Sequence, residues 1–115
     1  MPAGSRAKSS NEIDPFTHIR EEEQALQVLR ILLHDAFGGH GSNRTIGACL
    51  EEIGLYGSPT QIREILQRLE AQGLLRSRTV EGYDEAHLIV SLTDEGERVA
   101  RGKQMADGVA RPSRD

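Results

Sequence analysis

The sequence predicts an α+β domain, mainly α, in which three helices lead into a two-stranded hairpin and a last helix. Three observations carry this. The run Ser58–Leu75 reads as a helix with both ends written in, a second short amphipathic helix precedes it across a tight Gly-containing turn, and two alternating β-rich runs follow it.

Helix 1 opens at Asp14-Pro15, a cap followed by a first-turn proline, and runs from there or from Thr17 to Phe37, where Gly38-Gly39 breaks it. Leu26, Leu29, Leu33 and Phe37 form one face, and Ala25, Val28, Ile31 and Leu32 widen it beyond the stripe that one core contact needs. The excess predicts a second partner surface, a homodimer with Leu26, Val28, Leu29 and Leu32 at its interface; the alternative is that all of them fit inside one monomer core. Gly38-Gly39-His40-Gly41-Ser42 reads as a flexible joint, because it follows a helix and lacks the Lys-Ser/Thr ending of a phosphate loop.

Helix 2 spans Asn43 to Gly54, capped by Asn or Ser, with Ile46, Cys49, Leu50 and Ile53 as its apolar stripe. Leu55-Tyr56-Gly57 joins it to helix 3. There Ser58 caps, Gln61 three residues on can reach back to it, and Pro59 fills the first helical position, where no backbone donor is needed. Ile62, Ile65, Leu66 and Leu69 make a buried stripe, leaving Thr60, Gln61, Arg63, Gln67 and Arg68 facing outward, and Gly73 ends the helix. Leu74 to Val80 and His87 to Leu92 read as strands around a hairpin tip near Gly82, with Leu88, Val90 and Leu92 on one side of the second. Thr93 caps the last helix, whose first turn holds Asp94 and Glu95.

The compact solution for this order is a winged helix-turn-helix. Gly73-Leu74-Leu75-Arg76 leading to Val90-Ser91-Leu92-Thr93-Asp94-Glu95-Gly96 resembles the helix, G-L-[LIV], wing, L-T-x-x-G signature of bacterial winged-helix regulators. The stretch from about Val28 to the end, with its tail Val99–Gly102 through Gly108–Ser113, is similar to small winged-helix proteins of Mu-like transposable phages and prophages. This resemblance implies a cytoplasmic phage or prophage protein with a DNA-binding type of fold. It brings neither an operator nor catalytic residues.

Composition agrees with one small domain. At 115 residues there is room for one core, over 13–102, with 1–12 and 103–115 read as flexible tails. No apolar run approaches a membrane span, and no signal-peptide pattern opens the chain, which predicts a cytoplasmic protein with no membrane partner. One cysteine excludes an internal disulfide. His34, His40 and Cys49 are metal-ligand types without metal-ligand spacing, and no nucleophile, base and acid constellation stands out, so neither metal, cofactor nor enzyme activity is expected.

Charge sets the main tension. Over residues 12–102 nine Arg and no Lys face sixteen Asp and Glu, a net −7, which opposes phosphate binding. From Ser58 to Val80, however, Arg63, Arg68, Arg76 and Arg78 outnumber Glu64 and Glu70, a local +2, while Glu81, Asp84 and Glu85 make the wing tip acidic. The reading that follows is double-stranded DNA binding through the helix at 59–72, with the wing standing off. Thr60, Gln61, Arg63 and Gln67 are placed for base edges, and Arg44, Ser58, Arg68, Arg76 and Arg78 for phosphates. Each has a plainer role open to it: a polar helix face is often only solvated, Arg63 and Arg68 can pair with Glu64 and Glu70, and strand arginines often cover apolar surface. The alternative function is a winged-helix adaptor whose acidic wing and tails meet a phage or host protein.

Overall fold

A computed structural model describes residues 14–82 and 86–112. Helix α1 (Pro15–Leu33) is followed by strand β1 (His40–Ser42), helices α2 (Asn43–Glu52) and α3 (Pro59–Ala71), strands β2 (Leu75–Glu81) and β3 (Ala86–Leu92), and helix α4 (Asp94–Ala100). The fold is a winged helix-turn-helix: α2 and α3 form the helix-turn-helix, β2 and β3 the antiparallel wing. Each helix start is built by a side chain that accepts otherwise unpaired backbone N–H groups, from Asp14, Ser42, Ser58 and Thr93 in turn.

The core joins every layer. Leu26, Leu29 and Leu32 of α1, Ile46 and Leu50 of α2, the stripe Ile62, Ile65, Leu66 and Leu69 of α3, and Val90 of β3 are all at most 2 % exposed. This corrects the interface expected on α1, because Leu26, Val28, Leu29 and Leu32 are sealed inside the monomer. The broad apolar face of α1 has a simple cause: α2, α3, α4 and β3 all pack on it.

Three further expectations change. Helix α1 stops at Leu33, four residues before Phe37, because His34 turns extended and its Nδ1 takes the N–H of Ala36 at 3.0 Å. The glycine-dense joint is instead an ordered turn, with Gly38 and Gly39 at φ of 60° and 92°, feeding a third strand, so the sheet order is β1-β3-β2. Gly41 sits opposite Val90, where a Cβ would crowd Leu32 and Phe37. The segment read as a C-terminal tail folds back over described residues 103–112: Val109 is buried, Ala110 N–H bonds the Glu22 carbonyl at 3.0 Å, and Gln72 Nε2 donates to the Asp107 carbonyl. The N-terminal tail, Asp84 and Glu85 lie outside the described residues.

Candidate nucleic-acid interface

Helix α3 is held in place from three sides. At its start Ser58 Oγ accepts the Gln61 N–H at 3.2 Å while Gln61 Oε1 accepts the Ser58 N–H at 2.9 Å, a complete capping box. Along its length four apolar side chains enter the core. Near its end the Glu70 carboxylate accepts both the hydroxyl and the N–H of Ser77 on β2. The turn before it is tied to α1: buried Gln24 donates through Nε2 to the carbonyls of Leu55 and Tyr56 at 3.0 and 3.2 Å, and Arg20 Nη2 donates to Tyr56 at 2.7 Å. Nothing in the sequence pattern singled out Gln24. A glutamine one position before an apolar face reads as surface, and only the neighbouring turn reveals its two acceptors.

Away from the core α3 exposes Thr60, Gln61, Arg63, Glu64, Gln67, Arg68 and Glu70. Helical spacing puts Thr60, Glu64 and Gln67 along the middle of this arc, with Arg63 on its wing side and Gln61 and Arg68 on its α1 side. Glu64 is the residue that sequence reasoning passed over as a pairing partner. Among the described residues the ion pairs are His18–Glu22 at 3.3 Å and Arg101–Glu97 at 3.0 Å, so the Arg63 guanidinium is not tied to a neighbouring carboxylate and neither is that of Arg68. Glu70, the expected partner, is engaged by Ser77 instead.

Gln61 is differently placed from Arg63. Its amide oxygen is committed to the cap, so a bidentate grip on adenine, which needs both oxygen and nitrogen, would cost the capping bond. The Ser58 hydroxyl accepts in the same box and keeps its own proton free to donate. On the α1 side a groove of about 420 Å³ separates α1 from α3, lined by Glu21 and Gln24 facing Gln61, Glu64, Gln67 and Arg68. Glu21 thus sets a carboxylate beside this flank of α3.

The wing arginines are on another face. In the β2–β3 register Leu75, Ser77 and Thr79 oppose Leu92, Val90 and Leu88 on the core side, whereas Arg76 and Arg78 oppose Ser91 and Ile89 on the outer side. His40 extends that outer row, its Nδ1 at 3.2 Å from Ser91 Oγ. Arg76 and Arg78 are therefore exposed on the side of the sheet facing away from the core that anchors α3, and the structure does not bring them to the α3 arc. Arg44 is exposed in the first turn of α2.

Two of the stripe positions expected on α2 are not in the core. Cys49 is half-buried at the edge of a groove, and Ile53, the C-cap residue beyond the last turn, is 53 % exposed. No group of three His, Cys, Asp or Glu side chains suited to a metal ion occurs among the described residues, and none of their helices is long and apolar enough to cross a membrane.

A helix-turn-helix clamped to a wing, with one exposed helical arc, is the architecture of a winged-helix protein, and solved structures agree. The chain superimposes on a PadR family transcriptional regulator from Eggerthella lenta DSM 2243 with a TM-score of 0.60 at 23 % identity, over 86 % of this chain and 82 % of that one. It also matches Bacillus subtilis PadR in complex with operator DNA, with a TM-score of 0.57 at 21 % identity, over 79 % of this chain and 50 % of the PadR chain. At these identities the likeness establishes the fold. No family model matches the sequence, and no curated protein matches it.

Proposed function

We propose that this protein is a sequence-specific double-stranded DNA-binding regulator, encoded by a phage or prophage and working in the bacterial cytoplasm as a homodimer. The observation that carries this reading is Arg63: an exposed guanidinium with no carboxylate partner among the described residues, on the outward arc of a helix fixed by its cap, its core stripe and the wing. Support comes from the Bacillus subtilis PadR neighbour, whose structure was solved on operator DNA. In this reading α3 enters the major groove, Arg63 takes guanine O6 and N7, and Thr60 and Gln67 contact adjacent base edges. Gln61 keeps its capping role and reaches the DNA through its amide NH₂. Ser58, Arg44 and Arg68 donate to phosphates, while Arg76 and Arg78 act through the outer sheet face, on backbone beyond the site read by α3. A two-fold pair of such domains would address half-sites about 34 Å apart.

Glu64 fits this scheme as an acceptor for a cytosine amino group. The same residue favours a second reading. A carboxylate in the middle of the arc, on a domain of net negative charge, suits a protein-binding adaptor directed at a basic partner.

Fluorescence anisotropy with a mixed-sequence duplex pool, at about 50 and about 150 mM salt, separates the two. The DNA reading expects saturable binding that weakens steeply with salt and falls further in Arg63→Ala. An absence of binding at the lower salt contradicts it and directs the search to a protein partner.

A further inference from the structure

The backbone carbonyl of Tyr56, just before the cap of α3, accepts two bonds from α1: one from Arg20 Nη2 at 2.7 Å and one from Gln24 Nε2 at 3.2 Å. Arg20 and Gln24 are about one helical turn apart and share a face of α1, but their settings differ. Gln24 is buried and holds the turn from inside, whereas Arg20 is exposed. The Arg20 guanidinium thus stands at the N-terminal end of α3, although 36 positions of chain separate it from Tyr56. Its bond to Tyr56 uses one donor of a rigid fork that carries several, and no other acceptor engages it among the described residues. No carboxylate among them pairs with it either, since Glu21, next in sequence, lines the groove toward Gln61 and Glu64. Anchoring at Tyr56 also orders the side chain in advance, so a contact made by the remaining donors costs less rotamer freedom.

We infer that Arg20 is a phosphate-contacting residue of the DNA interface, donating to the backbone of the strand that passes the start of α3. This rests on the DNA-binding reading proposed above and adds to it a contact from outside the helix-turn-helix. Three features meet at this point and all favour an anion: the guanidinium, the Ser58 hydroxyl and the positive end of the α3 dipole. The carboxylates of Glu21 and Glu64 line the groove on the same flank and repel phosphate, and Arg20 offsets them locally. Arg76 and Arg78 do not reach this flank from the outer side of the sheet. The contact positions the duplex and reads no sequence, because every nucleotide presents the same phosphate.

The slope of log affinity against log salt counts the phosphates neutralised, about 0.9 for each, and a residue that only props the turn does not move it. Fluorescence anisotropy from about 50 to about 200 mM salt, on two duplexes of unrelated sequence, compares wild type with Arg20→Gln, Arg20→Lys and Arg30→Gln. Arg20→Gln keeps an N–H for the Tyr56 carbonyl but loses the charge. It is expected to lower the slope by about 0.9 and the affinity about 5-fold, on both duplexes alike. Arg20→Lys is expected to keep the slope. Arg30→Gln removes the same charge from an exposed position in the last turn of α1 and is expected to match wild type. An unchanged slope in Arg20→Gln overturns the inference while DNA binding stands, and so does an equal loss in Arg30→Gln, which would mark an effect of net charge alone. If the wild type binds neither duplex at about 50 mM salt, the DNA-binding reading and the inference fall together.

Discussion

The carboxylate of Glu70, on the last turns of α3, accepts two hydrogen bonds from Ser77 on β2, one from its hydroxyl and one from its backbone N–H at 3.3 Å. Seven residues and the Gly73 turn separate them, so this contact sets the angle between α3 and the wing. Ser77→Ala is expected to cost about 1 kcal/mol, the loss of a charge-assisted bond at an exposed site, and Glu70→Gln a similar amount. In a double-mutant cycle by urea unfolding the two losses should fall short of additive by at least about 0.5 kcal/mol. Strict additivity would mean that the contact contributes no coupling.

Gly96 explains the last glycine of the L-T-x-x-G pattern. It lies in the first turn of α4, where a Cβ would collide with the Leu74 carbonyl and approach Leu92 Cδ1 to 2.9 Å. Backbone cannot give way as a side-chain tip can. Gly96→Ala is expected to destabilise the domain by about 2 to 3 kcal/mol through overpacking, despite alanine's better helix propensity. Thermal unfolding of the variant beside wild type decides it; an unchanged or raised midpoint contradicts the packing described for α4.

Gln61 and Arg63, two residues apart, should separate stability from recognition. Gln61→Ala removes one arm of the capping box and is expected to cost about 0.5 to 1 kcal/mol of stability. Arg63→Ala removes an exposed guanidinium that pairs with no carboxylate among the described residues, and is expected to leave stability within about 0.5 kcal/mol while weakening DNA binding. Denaturation and anisotropy on the same two variants check the split, and a reversed pattern would reassign both residues.

Asp14 supplies the one pH prediction. The Thr17 hydroxyl, and after it the N–H groups of Phe16 and Thr17, hold its carboxyl below the usual aspartate range. A carboxyl whose pKa is lowered by folding contributes stability that is complete above the unfolded pKa and is lost as pH falls through the folded one. The start of α1 should therefore fray in acid, below the ordinary aspartate pKa, and Asp14→Asn should lose that component of the acid transition. Amide exchange at Phe16 and Thr17, followed from about pH 5 downward, is the measurement. Equal acid sensitivity in the two proteins would contradict the cap.

Much of the fold was legible because local signals and burial pattern agree in it. Ser58, Pro59, Gln61 and Gly73 bound α3 as they stand, and the alternation Leu88, Val90, Leu92 marks the core side of β3. What the sequence hid depends on contacts far along the chain. Three-residue β1 is too short for periodicity and exists because β3 offers it an edge. The width of the α1 apolar face could not tell a crowded monomer core from a dimer contact, and the core proved to take Leu26, Val28, Leu29 and Leu32. Val109 looks like a stray apolar residue in a polar tail until the segment folds back. At the candidate site, the outward residues of α3 were readable from helical period, but the commitment of Gln61 to its cap and the placing of Arg76 and Arg78 on the far side of the sheet required strand register and side-chain geometry.

Whether the exposed arc of α3 reads DNA sequence is decided by selection from a random duplex library, wild type beside Arg63→Ala. Wild type is expected to enrich a defined motif containing a guanine whose replacement weakens binding by about 1 to 3 kcal/mol, and Arg63→Ala is expected no longer to distinguish that position. A library that stays unenriched with wild type, or an identical motif recovered with Arg63→Ala, would contradict sequence reading by α3.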